Sequence, residues 1–188
     1  NIAITGMGAI DCNGHHFVKK KEGNWEGWEY DRLDLPTPPR VVFFTGCTNV
    51  RITDITMRNQ PSGWSYWIHD CEEVNFDRCK ILANVHYPNN DGIHINCCTN
   101  VTVSGFTAGH TVEPGYCTGG VLYYEDCDNV LVNRCGLYGC GILGVRAELC
   151  SAIAVTGCEI YECSYGGIQM GNTSGIQIEN CSFRDLGG

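Results

Sequence analysis

The sequence predicts an all-β chain, a single right-handed parallel β-helix of about seven coils. Two periodicities and one exclusion predict it. Cys47, Cys71, Cys98, Cys127 and Cys150 recur at intervals of 24, 27, 29 and 23 residues, and Thr173 continues the series after 23 more. Three residues after each member stands Val50, Val74, Val101, Val130, Ile153 or Ile176; eight residues after it stands Ile55, Cys79, Phe106, Cys135, Cys158 or Cys181. Within each period, three short apolar-alternating stretches are separated by turns of Gly, Asn, Asp and Ser, the pattern of a repeat solenoid. Three strands in about 23 residues leave no room for a crossover helix, and no stretch keeps a helical period beyond two turns.

From the N-terminus, residues 1–9 read as a strand and turn. Between Cys12 and Arg40 the repeat breaks, and Trp25, Trp28, Tyr30 and three of the six prolines mark a long aromatic loop. Coils then follow at each member of the cysteine series. A second insertion, residues 107–118, lengthens the coil after Cys98. Cys140 and Cys163 form a third, shorter row, thirteen residues beyond Cys127 and Cys150. Long insertions on one edge of a solenoid commonly wall its binding face. The whole of 1–188 reads as one domain, a fragment of a β-helix or a truncated one.

Composition narrows the function classes. With 43% hydrophobic and 18% charged residues, the chain is no disordered linker. Its formal net charge of −9 comes without a basic stripe, which argues against nucleic acid. No apolar run approaches the roughly 20 residues of a membrane helix. The 24 glycines are expected to supply the positive φ of the corners, and the 14 cysteines to fill stacked interior rows as small hydrophobes. No C-x-x-C pair exists, so zinc fits poorly. Neighbouring coils stand about 4.8 Å apart, close enough for disulfides by distance alone. A row that also contains Ile55, Phe106 and Thr173 reads instead as packing of free thiols, which leans towards a cytosolic or anaerobic compartment. No metal or cofactor is expected, and the chain is expected to be a monomer.

Aligning the coils on Cys98 sorts the side chains by face. Val42, Tyr66, Ile93, Leu122, Val145 and Ile168 form one inward column, and Phe44, Ile68, Ile95, Tyr124, Ala147 and Met170 a second. Between them runs an outward column of Phe43, Trp67, His94, Tyr123, Arg146 and Gln169. The next outward column is Thr45, His69, Asn96, Glu125, Glu148 and Gly171. Just before the strand stand Arg40, Trp64, Asp91, Gly120, Leu143 and Gly166. Aromatic platforms beside ionisable groups suit sugar rings, whose C–H faces stack and whose hydroxyls hydrogen-bond. Ladders of like residues packing coil on coil would explain part of this without a ligand.

Residues 4–14 (ITGMGAIDCNG), 40–59 (RVVFFTGCTNVRITDITMRN), Trp64 with His69, and 89–101 (NNDGIHINCCTNV) resemble the polygalacturonases of glycoside hydrolase family 28. The likeness covers about residues 1–105; the remainder is similar only to general pectin lyase-like β-helix repeats. The resemblance implies a secreted, inverting hydrolase of an acidic, pectin-like polysaccharide. Such an enzyme needs one carboxylic acid to protonate the leaving oxygen and one carboxylate to activate water. By the same resemblance, Asn89-Asn90-Asp91 makes Asp91 the water-activating carboxylate, and Gly144-Val145-Arg146 makes Arg146 a clamp for a substrate carboxylate. Trp67, His69, His94, Tyr123, Arg146 and Gln169 would line the substrate groove.

Three departures stand beside it. Gly119-Gly120 occupies the place of the family's Asp-Asp pair, Glu148 that of its Lys, and no Gly-His-Gly coil intervenes. Glu125, one coil along and outward-facing, is the candidate replacement acid; Glu113 and His110 in the second insertion are others. Calcium is a weaker reading, because alternation sends Asp126 away from Glu125 and Asp128 sits in an ordinary turn. Asp91 could also merely cap the turn before its strand. Two functions follow: hydrolysis of glycosidic bonds, or a degenerate β-helix that binds glycans or serves as a scaffold.

Overall fold

A computed structural model describes residues 1–20, 30–32, 38–61, 63–83, 90–110 and 121–187. The described strands stack into three parallel sheets. The first holds Ile2–Thr5, Thr48–Thr53, Glu72–Asp77, Thr99–Ser104, Asp128–Asn133, Ser151–Thr156 and Gln177–Glu179. The second holds Ala9–Asp11, Thr56–Arg58, Lys80–Ala83, Thr107–His110, Gly136–Tyr138, Glu159–Tyr161 and Ser182–Arg184. The third holds Arg40–Thr45, Trp64–His69, Ile93–Asn96, Leu122–Glu125, Leu143–Glu148 and Gly166–Gly171. The chain visits third, first and second sheet in turn, and each strand pairs with its counterpart one repeat away. That is the parallel β-helix the periodicity predicts.

The third sheet is six strands deep and the other two seven, so complete coils are slightly fewer than expected. Between Ala9–Asp11 and Arg40–Thr45 the chain forms a short 3-10 turn, Gly14–His16, and an antiparallel ribbon of Val18–Lys20 with Tyr30–Arg32. Trp25 and Trp28 lie outside the described residues.

Every predicted column of the third sheet is present where residues are described. Val42 pairs with Tyr66, Tyr66 with Ile93, Ile93 with Leu122, Leu122 with Val145 and Val145 with Ile168. The inward columns merge with Val50, Val74, Val101, Val130 and Ile153 of the first sheet in one continuous core. Alternation of period two on three sheets makes this possible, because each strand sends every second side chain inside.

The cysteine row does more than fill space. The Cys71, Cys98 and Cys127 thiols donate to the carbonyls of Phe44, Ile68 and Ile95 on the preceding coil. The Cys98 sulfur also accepts the Cys71 backbone N–H at 3.3 Å. Thr173 continues the row because its hydroxyl makes the same bonds, to the carbonyls of Ala147 at 3.4 Å and Gly171 at 2.9 Å. A small side chain with a donor is what the position selects. Burial pushes the Cys98 thiol up to about 12, so it stays protonated. Every described cysteine is a free thiol.

The corners correct one expectation. Positive φ recurs immediately before each row member, at Gly46, Asp70, Cys97, Asp126, Leu149 and Asn172. It recurs two residues after, at Asn49, Glu73, Asn100, Asn129, Ala152 and Gly175. Glycine is the minority there. Asn and Asp tolerate the left-handed region by bonding locally, and single residues of other types occupy it at a cost of about 1–2 kcal/mol. The stacking of neighbouring coils holds them in place. At the outer corner of the first sheet the asparagines bond along the stack, Asn129 to Asn100 at 2.8 Å and Asn100 to Glu73 at 3.1 Å.

Candidate functional site

The outer face of the third sheet carries the site, and a slip in alternation builds it. Val41 and Val42 both pack on the core, as do Val121 and Leu122. The slip turns the first residue of the strands Arg40–Thr45 and Trp64–His69 towards the outer face, so that Arg40 and Trp64 reach the rings of Trp67. Asp91 enters the same place one coil further on, since its carbonyl accepts the Ser65 N–H.

A buried polar support fixes the Asp91 backbone. Gln60 donates to the Ser65 hydroxyl at 2.8 Å, and that hydroxyl donates to the Asp91 carbonyl at 3.0 Å. Gln60 and Ser65 are both fully buried. Glycine must follow Asp91, because a Cβ on Gly92 would stand 2.3 Å from the Val121 carbonyl oxygen.

The Asp91 carboxyl accepts a hydrogen bond from the Trp64 side chain. Its Oδ1 is buried without a partner. Burial pushes the group up to about 7, and the Trp64 bond offsets only part of that. Among the described residues, no neighbouring carboxylate contributes to this shift.

His94 lies three residues on, 7% exposed, with neither ring nitrogen partnered. Its ring meets Trp64 at 4.0 Å and Tyr123 at 4.3 Å between centroids. Burial first, then the charges of Arg40 and Arg146, push it down to about 4, so it is neutral at physiological pH. Trp67 stacks on Phe43 at 4.5 Å and on His69 at 5.5 Å, and its indole donates to the Asn96 side chain at 2.6 Å.

Two arginines flank this cluster. Arg146 bonds Glu148 at 2.6 Å and lies 5.0 Å from the Tyr123 ring centre. Bonding to Glu148 holds its guanidinium above the usual arginine value. Arg40 has its guanidinium carbon 3.5 Å from the Trp67 ring centre and 5.3 Å from that of Trp64.

Of the residues singled out from sequence, Trp67, His69, His94, Tyr123, Arg146 and Asp91 come together on one face. Gln169 sits on the next strand opposite Arg146, exposed. Glu125 does not join Asp91. It pairs with Asn96 and Glu148, five residues further along the strand direction than Asp91. At about 3.3 Å per residue that offset is about 16 Å, beyond the roughly 6.5–9.5 Å of an inverting carboxyl pair. The Arg146–Glu148 pairing also places an acid where the family pattern has a second cation. His110 aligns with Ala83 on the second sheet, around the corner from this face. Asn89, Glu113 and Gly119-Gly120 lie outside the described residues.

Sequence reasoning left out Gln60 and Ser65, and placed Arg40 and Trp64 in their column without assigning them to the site. The legible signal was that column: Arg40, Trp64 and Asp91 on successive coils. Nothing in the pattern marked the buried Gln60–Ser65 pair. Among the described residues no three His, Cys, Asp or Glu side chains form a metal-ligand group. A shallow polar groove of about 470 Å³ lies elsewhere, on the first sheet, lined by Asn49, Arg51, Glu73 and Arg78. Arg78 there is bonded to Asp54 and Asp77, so the groove holds a satisfied ion-pair surface.

Residues 1–112 match the profile of Glycosyl hydrolases family 28. Polygalacturonase QRT2 of Arabidopsis thaliana is 28% identical over 104 residues, which is 55% of this chain and 22% of that protein. "Probable endo-xylogalacturonan hydrolase A" of Neosartorya fischeri is 26% identical over 135 residues, covering 62% of this chain and 31% of its own length. Exopolygalacturonase clone GBGE184 of Arabidopsis thaliana is 28% identical over 103 residues, 55% of this chain and 23% of that one. The chain thus spans less than a third of the length of these relatives. The matched stretch contains Arg40, Trp64, Trp67, Asp91 and His94, and with the three-sheet solenoid around them the chain belongs to glycosyl hydrolases family 28.

Proposed function

We propose that the third-sheet face binds an acidic, pectin-like polysaccharide and hydrolyses its glycosidic bonds through Asp91. The observation that carries this reading is a half-buried aspartate whose Oδ1 is buried and unpartnered, set in an aromatic face between two guanidinium groups. Sugar rings stack on Trp67 and Tyr123, and Arg146 faces a substrate carboxylate. Asp91 takes a proton from water as it attacks the anomeric carbon, a role it can fill once ionised above pH 7. The neutral imidazole of His94 offers a hydrogen-bond partner to a sugar hydroxyl without adding charge.

Inverting hydrolysis also needs an acid for the leaving oxygen. The offset of Glu125 from Asp91 removes it from that role, and Glu113 is the remaining acidic residue of the insertion after the third coil. A second reading is favoured by the solitary setting of Asp91: a face that binds the glycan without cleaving it. Reducing-end release from polygalacturonate decides between them, with tryptophan quenching as a parallel measure of binding. Release by the wild type that Asp91→Asn abolishes supports hydrolysis. Quenching without release leaves binding alone, and neither response removes both readings for this polymer.

A further inference from the structure

We infer that Arg40, with Phe43 and Trp67, forms a second carboxylate-recognition subsite on the side of Asp91 opposite Arg146, one that selects uronic-acid residues with free carboxylates. The inference rests on the proposed polysaccharide-binding face and names what part of it recognises.

Charge pairing is the first argument. Arg58, Arg78, Arg146 and Arg184 each pair with a carboxylate, on Asp11, Asp54, Glu148 and Asp185. Among the described residues Arg40, Arg51 and Arg134 pair with none, and of these three Arg40 alone lies on the third sheet, in a chain of net charge −9. The Arg40 Nε, like that of Arg146, is buried and has no hydrogen-bond partner. An unsatisfied buried donor costs about 1–3 kcal/mol, so this arrangement is unfavourable until an acceptor arrives.

Geometry is the second. The guanidinium carbon stands 3.5 Å from the Trp67 ring centre, 5.3 Å from that of Trp64 and 5.8 Å from that of Phe43. Three aromatic contacts restrict a long side chain, lowering the entropy lost on binding and leaving the planar N–H fork for a carboxylate. Phe43 stacks on Trp67 and stays 47% exposed. An apolar ring face beside a cationic fork matches the two chemistries of a uronic acid, a C–H face and a carboxylate.

Position is the third. Phe43, Trp67, His94, Tyr123 and Arg146 occupy consecutive strands, so the coils bearing Arg40 and Arg146 lie four steps apart. At about 4.8 Å per step the two backbones stand about 19 Å apart, and their guanidinium groups lean inward onto Trp67 and Tyr123, two strands apart on either side of His94. Arg146 is already neutralised by Glu148, which leaves Arg40 the stronger anion partner of the two.

The test is calorimetric titration of tetragalacturonate and of its methyl ester in an Asp91→Asn background, which keeps the ligand intact. With Arg40 present, the free acid binds more tightly than the ester. Arg40→Gln weakens the acid by about tenfold or more and leaves the ester unchanged. Arg40→Lys, which keeps the charge and loses the planar fork, gives an intermediate loss and decides the matter where the Gln variant does not fold. Equal affinity for acid and ester with Arg40 present, or no loss in either variant, overturns the inference and leaves glycan binding standing. Binding of neither ligand, with or without Asp91→Asn, overturns the polysaccharide reading itself and this subsite with it.

Discussion

Replacing Asp91 by Asn tests the site through stability. The Asp91 carboxyl sits near 7 in the folded chain, against an ordinary value of 3.8. The folded state therefore holds a proton that the unfolded chain releases, and stability falls as pH rises from about 4 to about 7. The resulting cost is about 1 kcal/mol at pH 4.5 and about 4 kcal/mol at pH 8. Asn carries no ionisable proton, so Asp91→Asn gains on the wild type by about 3 kcal/mol between those two pH values. The difference between pH values is the useful quantity, because an unpartnered amide adds its own cost at both.

His94 works in the opposite direction. Its folded value near 4 lies below the ordinary 6.5, so the unfolded chain takes up the proton and stability is lost as pH falls through 6.5 towards 4. The two slopes oppose one another in the wild type and flatten its profile. Asp91→Asn leaves the His94 slope exposed, and the variant becomes more stable towards neutral pH. Urea unfolding at pH 4.5, 6 and 8, followed by tryptophan emission, measures both profiles. A variant-minus-wild-type difference that does not change with pH would refute the reasoning, for it would mean that Asp91 ionises in the folded chain as freely as in water.

Other consequences are open to direct measurement. If Asp91 activates water, hydrolysis rises with pH through about 7; Trp64→Phe removes the hydrogen bond that opposes the shift and moves this limb to higher pH. Gly92→Ala forces a Cβ against the Val121 carbonyl oxygen and is expected to cost about 2–4 kcal/mol in thermal or urea unfolding. In the thiol row, Cys98→Thr preserves a donor for the Ile68 carbonyl and costs about 1 kcal/mol, whereas Cys98→Leu overpacks the coil and costs more, about 1–3 kcal/mol. Equal losses for the two Cys98 variants would reduce the row to plain filling.

The fold was legible because a solenoid repeats its evidence. The Cys47 row, the valines three residues on and the second row eight residues on each report one coil, and six copies of a weak signal fix a register. Columns on the third sheet followed without error from that alignment. Corners were less legible: any residue held by neighbours can occupy a single left-handed position, so Asp70, Glu73 and Leu149 give no sign of it in sequence. The site was legible only in part. Asp91, Trp67 and His94 stood out by type and column, but pairing Asp91 with Glu125 mistook a shared face for a shared position along the strands. Gln60 and Ser65 were invisible because their support of Asp91 depends on burial rather than on period.

The separation of columns also bears on whether the site works. In a β-helix the inward columns set stability and the outward ones face solvent, so outward residues can change without harming the fold. By the resemblance, Gly119-Gly120 stands where the family's Asp-Asp pair would be, and the described strands on either side still stack as a solenoid. Asp91 behaves differently, because keeping it costs about 4 kcal/mol above neutral pH by the shift it carries. Packing alone would be served better by a residue that does not ionise. Around it, Gln60 and Ser65 are buried polar groups spent on its backbone, and Arg40 is a cation with no partner in the described chain. A face that had lapsed into scaffold would need none of these. Their concurrence on three successive coils of one face supports the proposed anionic ligand, and the acid for the leaving oxygen then decides cleavage rather than binding.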